Sequence, residues 1–241
     1  MTTAPGSKQD FAAFRRWVRC RQDESVYDVF EQYQDVIRIK KESVALRKLM
    51  VIFEQALEVS NTYGFQAMSV RCLSEKTGMS MGSLYSYIES KDRLLGMMLT
   101  YGQVVVSRSL RIPEDLTRPP ERLRYVLRTH VYLTEVLQPW FYFSYMESRH
   151  FDRDSREQAI AAELRTEQMV ADLLREGVHA GDFTVDQPEF TAALIKPLLQ
   201  DWYLKRWKYR RREMSVDGYA DGVIAFVESA IAATSKHSPI R

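Results

Sequence analysis

The sequence predicts an all-α fold, with a three-helix helix-turn-helix domain towards the N-terminus and a helical bundle after it. Apolar residues recur at spacings of three and four, as they do in amphipathic helices; Val26, Val29, Phe30, Tyr33 and Ile37 are one such stripe. Glycines, prolines and capping residues divide the chain into stretches of helical length. No stretch shows the alternation that is typical of a half-buried strand. We therefore expect helices throughout.

Composition and charge narrow the class of protein. The 241 residues are enough for one or two domains, and the formal net charge of +2 means that any nucleic-acid surface must be local. The two cysteines, Cys20 and Cys72, provide no disulfide framework, and the four histidines show no metal-ligand spacing. No apolar run approaches the roughly 20 residues of a membrane helix, and the polar start is not typical of a signal peptide. A cytoplasmic protein without a metal site is expected.

Residues 1–43 are predicted to form an N-terminal extension. It consists of a disordered tail over residues 1–9 and one or two amphipathic helices, the first marked by Phe11, Phe14 and Val18.

Two groups of basic residues in this extension have two alternative interpretations. They contact phosphates or the minor groove of a nucleic acid, or they form a solvated helix face that nearby carboxylates balance. For Lys40 and Lys41, just before the next helix, we favour phosphate contacts. The groups are Arg15, Arg16, Arg19 and Arg21, then Arg38, Lys40 and Lys41.

The segment 44–95 carries the helix-turn-helix. A first helix from Val44 to Tyr63 braces two short helices. Ser69 can cap the first short helix, Gly78 can end it in the left-handed region, and Ser80 can cap the second. Helix, glycine-containing turn and helix in this order are typical of the helix-turn-helix motif.

The second short helix, Met81 to Ile88, is too short and too polar for a core helix. Ser83, Tyr85, Ser86 and Tyr87 can donate hydrogen bonds, and Gly82 leaves room for a close approach to a surface. Such a helix suits the major groove of DNA. It contains no Arg, Asn or Gln, so sequence specificity is expected to rest on Arg71, on the Gly82 and Ser83 approach, on the extension or on DNA shape.

Residues 46–95 resemble the DNA-binding domain of the TetR family of bacterial transcription regulators. The resemblance is carried by Gly64 and Phe65, by the turn from Gly78 to Ser80, and most specifically by the run G-S-L-Y-S-Y-I-x-S-K-D-x-L that begins at Gly82. It implies that Tyr85 packs partly inward and that Tyr87 contacts the DNA backbone. The expected DNA-binding residues are Lys40, Lys41, Arg47, Ser69, Arg71, Ser80, Met81, Gly82, Ser83, Tyr85, Ser86, Tyr87 and Lys91.

Residues 96–241 are predicted to be a helical domain for ligand binding and dimerisation, as the resemblance implies. Its first helix is expected to transmit the ligand signal as the only covalent link between the domains. The last two helices are expected to pair with those of a second subunit, which suits the small residues Ala220, Gly222, Ala225, Ala230 and Ala233. Predicted helices span residues 96–112, 117–138, 154–180, 186–212 with a kink at Pro197, and 215–234.

A regulatory site is expected between the linking helix and the aromatic segment that starts at Trp140. Large apolar cavities with a few polar groups bind hydrophobic ligands; the alternative is that these side chains are core packing. The basic run Lys205 to Arg212 either holds the phosphates of a ligand such as an acyl-CoA or is a solvated helix end. The candidate ligand-binding residues are Met97, Tyr101, Tyr132, Trp140, Phe141, Tyr145, Met146, Trp202, Arg206 and Trp207.

No catalytic constellation, cofactor motif or metal motif is present in the sequence, so we expect neither an enzyme nor a bound cofactor. We expect a homodimeric, nucleoid-associated repressor that a hydrophobic small molecule or acyl-CoA releases from a palindromic double-stranded operator. The first alternative is a DNA-bound adaptor that recruits a protein partner without sensing a ligand. The second is a helical enzyme or carrier that has lost DNA binding.

Overall fold

A computed structural model describes residues 10–232 of the chain. Within that range the protein has twelve α-helices, one short 3-10 turn and no strand beyond an isolated bridge between Phe183 and Ala232. The predicted all-α class is confirmed. The predicted disordered tail, residues 1–9, and Ala233 of the predicted dimer helix lie outside the described residues.

The helices follow one another with short connections. Those up to residue 109 are α1 (Phe11–Arg19), α2 (Gln22–Gln32), α3 (Glu42–Tyr63), α4 (Val70–Thr77), α5 (Met81–Ile88) and α6 (Lys91–Ser109). Those after it are α7 (Pro119–Val136), α8 (Gln138–Glu147), α9 (Arg153–Ala180), α10 (Pro188–Leu204), α11 (Arg206–Arg211) and α12 (Val216–Ile231).

Two helix boundaries differ from the sequence prediction. α9 begins at Arg153, one residue earlier than predicted, under a cap from Asp152, whose Oδ1 accepts the Ser155 N–H at 3.0 Å. The predicted long helix over 186–212 is broken at Lys205, whose φ of −117° is not helical, whereas Pro197 lies inside α10. A proline can be accommodated within a helix when only one backbone hydrogen bond is lost.

The chain forms two compact units. The N-terminal unit contains residues 15–109 and 136–162; the C-terminal unit contains the described residues up to 14, then 110–135 and 163–232. The chain therefore passes from one unit to the other four times, at 14–15, 109–110, 135–136 and 162–163. These units differ in bounds from the predicted segments 1–43, 44–95 and 96–241; that division, with the linking helix as the only covalent connection, stays a prediction.

Aromatic packing explains why residues 136–162 belong to the N-terminal unit. On α8, the Trp140 Nε1–H donates to the Met98 carbonyl of α6 at 2.8 Å. One turn later, the Phe143 ring meets the Phe65 ring edge to face, with 5.7 Å between the ring centroids. α8 is therefore anchored on the elements that carry the helix-turn-helix.

The start of α1 belongs to the C-terminal unit for a similar reason. Phe11 and Phe14 pack against the Tyr132 ring, with ring centroids 5.6 and 5.7 Å away. The Phe11 N–H also donates to Asp217 Oδ1 at 3.2 Å. The extension predicted ahead of the helix-turn-helix is thus two packed helices, α1 and α2.

Candidate functional site

The helix-turn-helix consists of α4 and α5, and its predicted caps are confirmed. Ser69 Oγ accepts the Cys72 N–H at 3.1 Å, and Ser80 Oγ accepts the Ser83 N–H at 3.2 Å. Between them Gly78 has a φ of 67°, in the left-handed region where a side chain is strained. Local hydrogen bonds therefore fix where each helix begins, and one glycine fixes the turn between them.

One face of α5 is open to solvent. Leu84 and Ile88 are fully buried and hold the helix on its neighbours. The opposite face is made of small, polar and aromatic side chains that a DNA groove can accept. Its exposed residues are Ser80, Met81, Gly82, Ser83 and Tyr85.

The two tyrosines of α5 lie the other way round from the expectation. Tyr85 is 42% exposed, whereas Tyr87 is 3% exposed. Tyr87 follows Leu84 by three residues and precedes Ile88, so it lies on the buried stripe of the helix. In the free chain Tyr85 is therefore the exposed tyrosine and Tyr87 a packing residue; the expected contact of Tyr87 with the DNA backbone stays a prediction.

The predicted cations around α5 are mostly free to meet phosphates. Lys40, Lys41 and Arg47 are exposed. Burial raises the pKa of Tyr87 and the positive charge of Arg47 partly offsets this rise, which places Arg47 beside the recognition helix. Arg71 is exposed and lies 3.4 Å from Glu75. An exposed pair of this kind is weak, so Arg71 can exchange Glu75 for a phosphate.

Lys91 has an intramolecular role that the sequence did not reveal. Its Nζ donates to the carbonyls of Phe65, Gln66 and Met68 at 3.2, 3.0 and 3.4 Å. An ammonium can donate three hydrogen bonds, and all three acceptors belong to the loop between α3 and α4. Lys91 therefore braces the start of the helix-turn-helix, and a phosphate contact would require it to give up these bonds.

The other polar residue of α5, Ser86, is half-buried. Its Oγ donates to the Gly82 carbonyl one turn earlier at 3.1 Å. Its groove contact remains a prediction, since the hydroxyl is already used within the helix.

The predicted ligand-binding residues are divided between the two units. Met97, Tyr101, Trp140, Phe141, Tyr145 and Met146 belong to the N-terminal unit, and Tyr132, Trp202, Arg206 and Trp207 to the C-terminal unit. Their exposure also differs, from fully buried Met97 to Trp207, which is 59% exposed. Their joint role in ligand binding stays a prediction.

In the N-terminal unit, the buried members of this set are packing residues. Trp140 lies so close to Gly102 that a Cβ there would be 1.8 Å from its ring. Phe53 packs against Tyr101 with ring centroids 5.7 Å apart, and burial raises the pKa of Tyr101 to about 12. These buried side chains pack in the core of the N-terminal unit, as the alternative interpretation has it.

In the C-terminal unit, Trp202 is the centre of an aromatic and ionic cluster. Its Nε1–H donates to Glu135 Oε2 at 2.9 Å, and its ring stacks on Tyr219 with 4.8 Å between centroids. The Arg206 guanidinium lies 4.7 Å from the Trp202 ring centre and pairs with Glu135. Arg206 is thereby committed to its own unit.

One carboxylate, Asp201, pairs with two of the six cations in the basic run 205–212. Asp201 accepts from Lys205 at 2.9 Å and also from Lys208 and Tyr209. Burial by itself would raise the pKa of Asp201, but these hydrogen bonds hold it at about 2. The exposed arginines Arg210 and Arg212 lie at the end of this run.

A buried polar layer in the C-terminal unit was missed by the sequence analysis. Lys196 of α10 is 5% exposed and its Nζ lies 3.4 Å from Glu163 Oε2 of α9. Gln200, one turn along α10, donates to Glu163 Oε1 at 2.5 Å. His130 of α7 is 2% exposed; burial, followed by the charge of Lys196, lowers its pKa well below the usual value. Lys196 and Gln200 are four residues apart and so lie on the same face of α10. This spacing was the sequence signal that could have indicated the polar layer.

The surface of the C-terminal unit carries exposed apolar side chains on its last long helices. Phe190 and Leu194 of α10 are 60% and 58% exposed, and Phe226 of α12 is 64% exposed. Gly222 and Ala225 are exposed beside Phe226 on α12. A shallow depression of about 290 Å³ at one end, which includes Phe190, Thr184 and Ile231, contains none of the predicted ligand-binding residues.

Two kinds of feature are absent from residues 10–232. No group of three or more His, Cys, Asp or Glu in this range could hold a metal ion. None of the described helices has both the length and the apolar character needed to cross a bilayer.

Comparisons with known proteins agree with this geometry. Residues 52–98 match the family model described as bacterial regulatory proteins, tetR family, and residues 116–231 match the tetracyclin repressor-like C-terminal domain. The HTH-type transcriptional regulator HbdR of Aromatoleum sp. (strain CIB) is 24% identical over 189 residues, which are 77% of this chain and 81% of that protein.

Solved structures share the fold. A tetR-family regulatory protein from Rhodococcus RHA1 has a TM-score of 0.70 at 19% identity, over 78% of this chain and 98% of that one. AibR, solved with isovaleryl coenzyme A and operator DNA, has a TM-score of 0.63 at 19% identity, over 74% of this chain and 97% of that one. Because the two family models together match more than half of its residues, the chain belongs to the TetR family of bacterial regulatory proteins.

Proposed function

We propose that this protein is a homodimeric transcriptional repressor that a small molecule releases from its operator. The exposed face of α5, fixed by the capped helix-turn-helix, carries the proposal. A short helix of this kind enters the major groove with the side chains near its N-terminus against the bases. Met81, Gly82, Ser83 and Tyr85 are exposed at that end.

Dimerisation is supported by the apolar face of α10 and α12. Phe190, Leu194 and Phe226 are each more than half exposed in the single chain. Apolar side chains exposed side by side mark interaction surfaces. A two-fold dimer would cover this face and present two copies of α5 to the two halves of a palindrome.

For the effector, we propose a hydrophobic small molecule or an acyl-CoA that binds in the C-terminal unit. AibR, which shares the fold, was solved with isovaleryl coenzyme A. The buried Lys196 and His130 supply polar groups among apolar neighbours, as ligand sites do. Binding must change operator affinity and be changed by the operator to the same degree.

The test is a titration of the purified protein against the intergenic region upstream of its own gene. Binding is measured at two salt concentrations, with and without acyl-CoA thioesters and apolar small molecules. Specific, salt-sensitive binding that one compound class weakens would support the proposal. Specific binding that no compound changes would favour the adaptor alternative, and absence of specific binding would overturn both.

A further inference from the structure

The chain between α2 and α3 is attached to the recognition helix α5. The Arg38 N–H donates to the Ser86 carbonyl at 2.9 Å. Ser86 lies in the last turn of α5, where carbonyls have no partner within their own helix. Arg38 satisfies one of them, so this attachment fixes the position of residues 37–41 relative to α5.

Side chains alternate along this segment. Ile37 is buried and Ile39 is half-buried, whereas Arg38 and Lys40 are exposed. Residues 37–41 are not helical, and Lys41 has an extended backbone with φ −84° and ψ 97°. Alternate side chains of an extended chain point to opposite sides. The two isoleucines therefore hold the segment on the unit while Arg38 and Lys40 project into solvent.

The base of the segment is held on the linking helix α6. The Asp28 carboxylate accepts two hydrogen bonds from Arg108, at 2.9 and 2.8 Å. The Tyr33 hydroxyl lies 3.2 Å from Thr100 Oγ1, and Asp35 pairs with Arg93. A segment that is already positioned loses little conformational entropy when it binds.

The charge distribution gives this segment a role. The recognition helix, Met81–Ile88, has no charged residue, so the attraction to DNA must come from its neighbours. Arg38, Lys40 and Lys41 follow one another closely in the chain and are exposed. None of the three takes part in an ion pair among the residues that the structure describes. Their charge is available to an external anion.

We propose that residues 38–41 are a DNA-contacting arm that binds backbone phosphates beside the groove entered by α5. This inference rests on the proposed function and deepens it. Phosphate contacts fix register and supply affinity without reading bases. The arm would therefore provide the affinity and orientation that the uncharged helix cannot, while Tyr85 and its neighbours on α5 provide the base contacts.

The test compares R38A/K40A with wild type on the operator and on a scrambled duplex of equal length. The logarithm of the binding constant falls linearly with the logarithm of the salt concentration, and each lost phosphate contact reduces the magnitude of this slope by about one. Because the variant lacks both cations in each subunit of the dimer, we expect the magnitude of the slope to fall by about four, with weaker binding to both duplexes and an unchanged ratio of operator to scrambled binding. R210A/R212A, which removes two exposed arginines from the C-terminal unit, is the control with an equal charge change.

The possible outcomes distinguish a failure of the proposed DNA-contacting arm from a failure of the proposed repressor function. If R38A/K40A keeps the wild-type slope and affinity while wild type still prefers its operator, the arm is overturned and the repressor proposal stands. Equal losses in R38A/K40A and R210A/R212A would also overturn the arm, because a general charge effect would then explain them. A wild-type protein that does not distinguish operator from scrambled duplex would overturn the repressor proposal itself. Unchanged circular dichroism and melting temperature would establish that both variants fold.

Discussion

The Glu147 carboxylate at the end of α8 accepts a hydrogen bond from the backbone N–H of Phe65, with 3.0 Å between Oε2 and N. Phe65 follows Gly64, whose φ of 88° ends α3. Lys91 meets the carbonyl of the same Phe65. One residue at the start of the helix-turn-helix is thus held through both its N–H and its C=O, by α8 and by α6.

Removal of this carboxylate should loosen the helix-turn-helix. We expect Glu147→Ala to lower the free energy of unfolding by about 1.5–3 kcal/mol, the range for a hydrogen bond to a charged group, and to weaken operator binding. Glu147→Gln keeps an acceptor oxygen and should cost less. Chemical denaturation measures both. His150→Ala is the control because His150 is exposed and 3.8 Å from Glu147; equal stability of all three variants would contradict the role of Glu147.

The tyrosines of α5 should respond to mutation in opposite ways. Tyr85→Ala removes an exposed side chain, so operator binding should weaken at least tenfold while stability changes by less than about 0.5 kcal/mol. Tyr87→Ala empties a buried position and should cost about 3 kcal/mol. Denaturation and DNA titration on the same samples separate the two effects. A Tyr87→Ala protein that is stable but no longer binds DNA would support the contact between Tyr87 and the DNA backbone that the resemblance implies.

Two glycines provide a matched pair. At Gly102 a Cβ would lie 1.8 Å from the Trp140 ring, whereas at Gly82 it would meet nothing within 4 Å. Gly102→Ala should displace α8 and destabilise the protein by about 1–3 kcal/mol or more. Gly82→Ala should leave stability equal or higher, since alanine favours helix, yet weaken operator binding if DNA approaches closely there. Thermal melts and DNA titrations decide both points.

Local signals explain what the sequence predicted well. The caps Ser69 and Ser80 and the glycine Gly78 act on backbone groups two or three residues away, so their pattern is visible in the chain itself. The inward side of α5 was harder to predict, because which tyrosine is buried depends on the helices against which α5 packs. Lys91 shows the same limit, since its three acceptors lie 23 to 26 residues earlier.

The ligand region was predicted least well because its residues are brought together, or kept apart, by the path of the chain. Trp140 and Trp202 are both aromatic candidates for the same site, yet they belong to different units. Lys196, in an apolar stretch, lies 33 residues from its counter-charge Glu163. Only the packing of α7, α9 and α10 reveals the buried polar layer.

The ion pair in this layer should contribute little to stability. Desolvation of a buried charge can cost more than its ion pair returns. The Glu163 side chain is 43% exposed and stays hydrated without its partner, so Lys196→Met should unfold at the wild-type denaturant concentration or above. Glu163→Ala leaves the ammonium buried without its nearest counter-charge and should cost about 3–5 kcal/mol. If the layer binds the effector, Lys196→Met should also stop ligand release of DNA. A strongly destabilised Lys196→Met protein would mean that the pair is structural.

Acid should destabilise the C-terminal unit through His130. Burial, and then the charge of Lys196, lowers the pKa of His130 in the folded protein well below its usual value. In the unfolded chain the imidazole takes up a proton as the pH falls below about 6.5. The unfolded state then binds more protons, so stability is full above that pH and falls as the pH drops further. Unfolding midpoints measured from pH 7.5 to 5 should fall for wild type and for His179→Gln, whose histidine is exposed, but less steeply for His130→Gln. Parallel curves for all three proteins would show that His130 is not the group that couples folding to pH.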